Sequence, residues 1–89
     1  MAHMIETAVP GMTREAAEGM IQRLEPLFKQ APGFLWHASG PSDGGWRVVE
    51  VWDTEEDWAR WFEGTIKPML PPDMNVGASH YDVEVVIGR

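Results

Sequence analysis

Four short stretches of the chain are rich in apolar and β-branched residues, and each predicts a β-strand. They are residues 3–9, 34–39, 46–53 and 80–87. Apolar and polar positions alternate in the last stretch, whereas the second is apolar on both faces, as in a strand covered on both sides. Residues 40–45, Gly-Pro-Ser-Asp-Gly-Gly, join the second and third strands and predict the turn of a β-hairpin.

A first helix is predicted over about residues 14–30. Its apolar residues recur at steps of three and four, which places them in one stripe, and Thr13 is a suitable N-cap. Pro26 lies inside this segment. Because proline lacks a backbone N–H, we expect it to kink the helix or to end its regular part near Glu25.

A second helix is predicted to begin after Thr54 and to run to about Lys67. Its first residues, Thr54-Glu55-Glu56-Asp57, form a capping box with acidic side chains at the positive end of the helix. Pro68 is expected to stop this helix. A loop over Met69 to Ala78 then leads into the last strand.

The predicted order of elements is βαββαβ, the arrangement of ferredoxin-like α+β folds. One antiparallel sheet would carry both helices on one face. The other face has too many β-branched residues to lie in water, so we expect a second copy of the chain to cover it in a dimeric α/β barrel. Residues 1–89 are expected to form this one domain, although Met1 to His3 also fit a remnant of an expression tag ahead of Met4.

Charge and composition argue against several classes of protein. The net charge is −7, from 14 acidic against 7 basic residues, whereas binding to nucleic acid or to an anionic membrane needs clustered lysine and arginine. The chain has no cysteine, no apolar run long enough to span a membrane and no signal-peptide pattern, so we expect a cytoplasmic protein. No glycine-rich loop precedes a helix, which argues against a nucleotide, and we expect no cofactor.

The chain resembles small uncharacterised bacterial proteins of the antibiotic biosynthesis monooxygenase-like, dimeric α/β barrel superfamily. The resemblance rests on GFLWHASGP at 33–41 and DGGWRVVEVWDTEE at 43–56, with Ile5-Glu6 and the PGMT run at 10–13. It implies a homodimer with a pocket in each subunit between sheet and helices. Trp52 aligns with a strand tryptophan that often lines this pocket.

The second helix departs from this resemblance. Many monooxygenase members carry a histidine there, where this chain has Trp58, Trp61 and Phe62. The difference argues against haem ligation. Tryptophans three residues apart on a helix are typical of a core, but some of the five in this chain are expected to face a cavity or the dimer interface.

Glu50 is the first candidate for catalysis. It lies between Val48 and Trp52 on one face of a central strand. Aromatic neighbours would leave its charge poorly solvated, a property of many general acids and bases. The alternative is a structural role, either in an ion pair with Arg47 of a partner chain or at a wet edge of the sheet.

The register of the hairpin decides which side chains share a face with Glu50. If Gly40 faces Trp46, then Trp36 faces Glu50, and the large aromatic side chains gather on the helix side. We prefer this register. A shift of one residue brings His37 to that face instead.

The three histidines lie on three predicted strands. His37 is either a core histidine or a proton-transfer group, since imidazole titrates near neutral pH. His80 is a candidate for substrate binding, with a surface position as the alternative. A metal site needs three or four converging ligands, which His3, His37 and His80 would supply only if they faced the same way, so we predict none.

Together with the resemblance, these residues favour a small cofactor-independent enzyme of the monooxygenase, cyclase or isomerase type. Its substrate would be an apolar, polyketide-like or aromatic molecule. The expected roles are a base in Glu50 or His37, pocket walls in Trp36, Trp52 and Trp61, and an oxyanion partner in Arg47 if that side chain points inward. The alternative is a non-catalytic homodimer that binds a small apolar ligand or serves as a stress or accessory protein.

Overall fold

Four antiparallel strands and two helices make up the fold in the computed structural model, which describes residues 2–71 and 76–87. In chain order the elements are β1 (Ala2–Pro10), α1 (Arg14–Gln30), β2 (Phe34–Ser42), β3 (Gly45–Trp52), α2 (Glu55–Trp61) and β4 (Gly77–Val83). The strands pair in the order β2-β3-β1-β4. The predicted ferredoxin-like α+β fold is confirmed.

One face of the sheet packs against both helices. The main core cluster joins Ile5 of β1 and Trp52 of β3 to Leu24 and Phe28 of α1 and Trp61 of α2. Trp52 has no exposed surface. Because burial of a large apolar side chain contributes roughly 1.5–3 kcal/mol, this cluster holds both helices on the same side of the sheet.

Helix α1 begins as predicted but does not end at Pro26. The Thr13 hydroxyl accepts the backbone N–H of Ala16 at 3.2 Å, which confirms the cap. The helix passes through Pro26 to Gln30. Pro26 is exposed, and Leu24 and Phe28 on the buried side hold the following turn against the sheet, so the lost hydrogen bond does not end the helix.

Helix α2 is also capped as predicted, since the Thr54 hydroxyl accepts the N–H of Asp57 at 3.1 Å. The helical path continues through a π-helical turn, Phe62–Ile66, and a 3-10 turn, Lys67–Met69. Pro68 therefore does not stop it. In the first turn of a new helical segment proline costs no hydrogen bond, because the N–H groups there have no helical partner.

The hairpin turn is shorter than predicted. Ser42 pairs with Gly45, so only Asp43 and Gly44 form the turn, with Gly44 at φ +76°. The remaining predicted turn residues extend β2, which is an edge strand and therefore tolerates Pro41.

Strand β4 begins and ends earlier than the predicted 80–87. Its last pair among the described residues joins Val83 to Ala2 of β1. The predicted loop from Met69 to Ala78 lies partly outside the described residues, at 72–75. No helix within 2–71 and 76–87 is long and apolar enough to cross a membrane.

Gly33 links α1 to β2 in a backbone conformation that favours glycine, with φ +84°. Its carbonyl accepts the N–H of Asp53 at 2.8 Å. A methyl group at this position would overlap the side chain of Asp57 in α2. The link therefore needs glycine both for its backbone angle and for the close approach of α2.

Candidate functional site

A cavity of about 80 Å³ lies between the helices and the sheet. Its walls are apolar except for Thr7, His37 and Glu50. One water molecule needs roughly 10–15 Å³ on the same measure, so the cavity has room for a few small groups. The helices contribute several flexible or aromatic walls, namely Met20, Phe28, Trp58, Trp61 and Phe62.

The hairpin register places His37, not Trp36, opposite Glu50. Gly40 pairs with Arg47, and Trp36 pairs with Val51. The preferred register was therefore wrong and the alternative is observed, because the two-residue turn at 43–44 fixes the pairing one residue away from the expected one.

Glu50 and His37 form a hydrogen-bonded pair at the polar part of the cavity. Glu50 is 7% exposed, and its Oε2 lies 2.9 Å from His37 Nδ1. Its Oε1 accepts the indole N–H of Trp52 at 2.9 Å. The second ring nitrogen of His37, Nε2, lies 3.2 Å from the Ser39 hydroxyl.

The distances in this network fit one tautomer of His37 when Glu50 is ionised. An ionised Glu50 can only accept, so His37 Nδ1 donates to it. Nε2 then holds the lone pair and accepts the hydroxyl proton of Ser39. The arrangement orients an imidazole against a buried carboxylate and leaves it able to take up a proton, with the charge of Glu50 stabilising the imidazolium that results.

Of the predicted wall residues, Trp61 lines the cavity and Trp52 does not. Trp61 is 7% exposed, and its indole N–H has no acceptor among the described residues. A buried N–H left without a partner costs about 1–3 kcal/mol. Trp52 lies next to Glu50 on the same face of β3, and its indole N–H holds that carboxylate in place.

Two predicted site residues point away from the cavity. Trp36 is 50% exposed, and its pairing with Val51 puts it on the outer face of the sheet. Arg47 lies on the same outer face and forms an ion pair with Glu6, so it does not point inward. Both assignments depended on the hairpin register or on an orientation that the sequence left open.

His80 does not line the cavity. It lies on the helix-facing side of β4, where its ring contacts His3 and packs edge-on against Trp58 at a centroid distance of 4.9 Å. All three histidines face the helices, yet His37 stays apart from the other two because β3 separates β2 from β1. The structure thus brings together two of the three histidines.

Sequence reasoning missed two features of this site. The hydroxyl of Ser39 at His37 became evident only with the observed register. The unpaired N–H of Trp61 depends on the packing of α2 against α1 and β3, for which the sequence carries no local signal.

Sequence comparison finds no match to any protein-family model and none among curated proteins. Solved structures do match. A single-residue variant of SnoaB, a cofactor-independent oxygenase from Streptomyces nogalater, is 13% identical with a TM-score of 0.63, covering 99% of this chain and 97% of that one. The haem degrader MhuD from Mycobacterium tuberculosis, with two haems in its active site, is 17% identical with a TM-score of 0.61, covering 97% and 99%.

A third structure, from Bacillus cereus and provisionally assigned as an antibiotic biosynthesis monooxygenase, is 21% identical with a TM-score of 0.53 and covers 100% of both chains. These neighbours show that the chain has the antibiotic biosynthesis monooxygenase-like fold, as the sequence resemblance implied. The cavity itself does not fit a haem ligand set. His37 is the one histidine among its described lining residues, and both ring nitrogens of His37 already have partners.

Proposed function

We propose that the chain is a cofactor-independent monooxygenase in which His37, oriented by Glu50, removes a proton from an apolar carbonyl compound. The observation that carries this proposal is the His37–Glu50 pair at the polar part of an otherwise apolar cavity. The oxygenase named among the structural neighbours supports the same reaction class.

The first step is proton transfer from carbon. A methylene group beside a carbonyl loses a proton to His37 Nε2, and the Ser39 hydroxyl gives up its hydrogen bond as the imidazole becomes charged. Glu50 stabilises the imidazolium across 2.9 Å. General-base catalysis of this kind contributes about 10²–10⁴-fold to the rate.

The substrate anion needs a donor for its oxygen, and Trp61 supplies one. Trp61 lines the cavity, and its buried indole N–H lacks an acceptor within the part of the chain described, so a shift of the ring that turns this N–H into the cavity would let a substrate carbonyl oxygen satisfy it. The hydrogen bond strengthens as charge develops on that oxygen, which favours proton loss.

The second step uses molecular oxygen. The carbanion gives its electron pair to O₂ and forms a C–O bond, and the peroxide takes up a proton and collapses to a ketone with loss of water. The balance is CH₂ plus O₂ to C=O plus H₂O. The apolar walls exclude bulk water from the carbanion, which would otherwise be reprotonated.

The cavity also limits the substrate. It contains no lysine or arginine among its described lining residues, so it favours an uncharged molecule. Its volume of about 80 Å³ is well below the ~300 Å³ or more of pockets that enclose drug-sized ligands. A ring system enters only if flexible walls such as Met12 and Met20 move, which unbranched methionine side chains do readily.

The functional unit that we propose is a homodimer built through the outer face of the sheet. Large apolar side chains remain exposed there or next to it, with Trp36 at 50% and Tyr81 at 45%. Neighbouring outer positions on β3 are also apolar, at Val49 and Val51. A twofold interface would cover this face on both copies at once.

Oxygen uptake with anthrone, an uncharged aromatic ketone with an acidic methylene, tests the proposed reaction. We expect consumption of one O₂ per anthraquinone formed, with loss of most turnover in His37→Asn. Uptake that is equal in His37→Asn and wild type would exclude His37 as the base.

The second candidate is a non-catalytic carrier of a small apolar ligand. The unpaired N–H of Trp61 favours it, because that group would recognise a carbonyl whether or not a reaction follows. A carrier would bind anthrone without oxygen uptake. Glu50→Gln should then have the same affinity for anthrone as the wild type.

A further inference from the structure

We propose that His3, His80 and Glu55 form a binding site for a divalent transition-metal ion, separate from the cavity and from the His37–Glu50 pair. Ligand atoms of these three residues all lie within 4.8 Å of one another. They come from β1, β4 and the first residue of α2, so the site joins three elements at one corner of the fold. This proposal departs from the sequence expectation of no metal site.

The distances between the donor atoms suit a metal ion. His3 Nε2 lies 2.9 Å from His80 Nδ1, and His80 Nδ1 lies 4.0 Å from Glu55 Oε1. In a tetrahedral site with bonds of about 2.0–2.1 Å, ligand atoms are about 3.3 Å apart. The observed separations lie on either side of this value, so small side-chain rotations would bring the three atoms into coordinating positions.

The two imidazoles already point their nitrogens at each other. Only one proton fits between His3 Nε2 and His80 Nδ1, so one ring must donate and the other accept. A divalent ion can replace that proton and accept a lone pair from each ring. Two imidazoles and a carboxylate are ligands that suit zinc, cobalt and iron, and they leave a coordination position open.

The surroundings of the site support His3 as a ligand. Its second nitrogen, Nδ1, lies 3.8 Å from Asp82 Oδ1, an ion-pair distance that a small side-chain rotation would shorten to a hydrogen bond. Metal-bound histidines commonly direct the other ring nitrogen towards a carboxylate, which fixes the ring and its tautomer. His3 is also 5% exposed, so its ring is held within the fold rather than free on the surface.

The site has the charge needed for a divalent ion. Glu55 and Asp82 supply two carboxylates, and the imidazoles are neutral when they act as ligands. His80 and Glu55 are partly exposed, with side-chain values of 33% and 64%, so an ion can enter from solvent. Trp58 separates this site from the cavity, since it packs on His80 and also lines the cavity.

Titration of the purified chain with Co²⁺ tests the proposal. We expect one equivalent to bind with visible d–d absorption of the strength typical of four- or five-coordinate cobalt, and Zn²⁺ to displace it. His80→Asn should abolish this spectrum. Asp82→Asn should weaken binding by about tenfold, the lower end of the range for groups that support a ligand, because Asp82 is 78% exposed.

Glu55→Gln and Glu56→Gln form a matched pair. They are adjacent exposed acids in the first turn of α2, and only Glu55 belongs to the cluster. We expect Glu55→Gln to lose at least tenfold in Co²⁺ affinity and Glu56→Gln to bind as wild type. Equal affinity in both variants, retention of the spectrum in His80→Asn, or an octahedral spectrum of weakly held cobalt in the wild type would each overturn the proposal.

Discussion

Replacing Glu50 with glutamine tests the proposed catalytic pair, because the two side chains have the same shape but different hydrogen-bonding groups. The glutamine oxygen can still accept the N–H of Trp52. Its amide nitrogen would face His37 Nδ1, and an amide NH₂ group only donates. His37 must then accept at Nδ1 and carry its proton on Nε2, the nitrogen that we assign as the base.

The expected loss of activity exceeds the expected loss of stability. Without a base the rate should fall by about 10²–10⁴-fold, or roughly 2.7–5.5 kcal/mol in activation free energy. Glu50 accepts two hydrogen bonds through a charged carboxylate. Replacing each of them with a hydrogen bond between neutral groups costs about 1 kcal/mol. Removal of a buried charge offsets part of this cost, so the free energy of unfolding should fall by no more than about 2 kcal/mol.

Nitrogen-15 NMR of the histidine rings measures the tautomer without any substrate. We expect wild-type His37 to carry its proton on Nδ1 and the Glu50→Gln variant to carry it on Nε2, with the signals assigned by their loss in His37→Asn. Glu18→Gln is the control, since it changes the net charge equally on the exposed face of α1. A proton on Nε2 in the wild type, or an unchanged tautomer in Glu50→Gln, would refute the reasoning.

Three further predictions concern binding, assembly and folding. Trp61→Phe removes the unpaired indole N–H, so the affinity for anthrone should fall by about 5–150-fold in equilibrium titrations. This range corresponds to the ~1–3 kcal/mol of one hydrogen bond. Unchanged affinity would contradict the role of that N–H. Val49→Lys puts a charge on the outer sheet face and should yield a monomer in sedimentation analysis. Ala16→Lys, on the exposed face of α1, is the control and should remain a dimer. A monomeric wild type would exclude the interface. Gly33→Ala should lower the free energy of unfolding, measured in urea, by at least about 1–2 kcal/mol, because alanine is strained at φ +84° and overlaps Asp57. An unchanged free energy of unfolding would show that the link can relax.

The elements that the sequence predicted well are those fixed by local signals. Thr13 and Thr54 cap their helices through contacts within three residues, so the cap can be recognised without the rest of the fold. The end of β4 is different. It falls at Val83, opposite Ala2 of β1, whereas the alternation of residues 84–87 predicts a longer strand.

The candidate site was harder to predict because it depends on the length of one turn. A loop over 41–45 places Gly40 opposite Trp46 and Trp36 opposite Glu50, whereas the observed two-residue turn at Asp43-Gly44 places His37 opposite Glu50. The sequence therefore identified Glu50 and His37 as separate candidates, and their contact follows only from the observed register. The proximity of His3 and His80 was missed for a similar reason, since it requires β1 and β4 to be neighbours.

A β-bulge at the start of β2 keeps part of the aromatic packing for which the other register was preferred, although the register of the rest of the strand differs. Phe34 still faces Trp52, and their rings meet edge to face at 5.4 Å, although His37 has moved opposite Glu50. The irregularity lies between Phe34 and Trp36, so Leu35, 47% exposed, is the extra residue.

Two single-residue deletions in β2 should therefore have opposite effects. Deletion of Leu35 makes the ladder regular and keeps both Phe34 against Trp52 and His37 against Glu50, so the His37 tautomer and any oxygen uptake should survive. Ala38 lies between the turn and His37, so its deletion shifts the pairing of the residues before it and moves His37 to the outer face and Trp36 inward. The nitrogen-15 spectrum should then lose the Glu50-bound form of His37. Loss of that form in the Leu35 deletion, or its persistence in the Ala38 deletion, would mean that the turn at 43–44 does not set the register that builds the site.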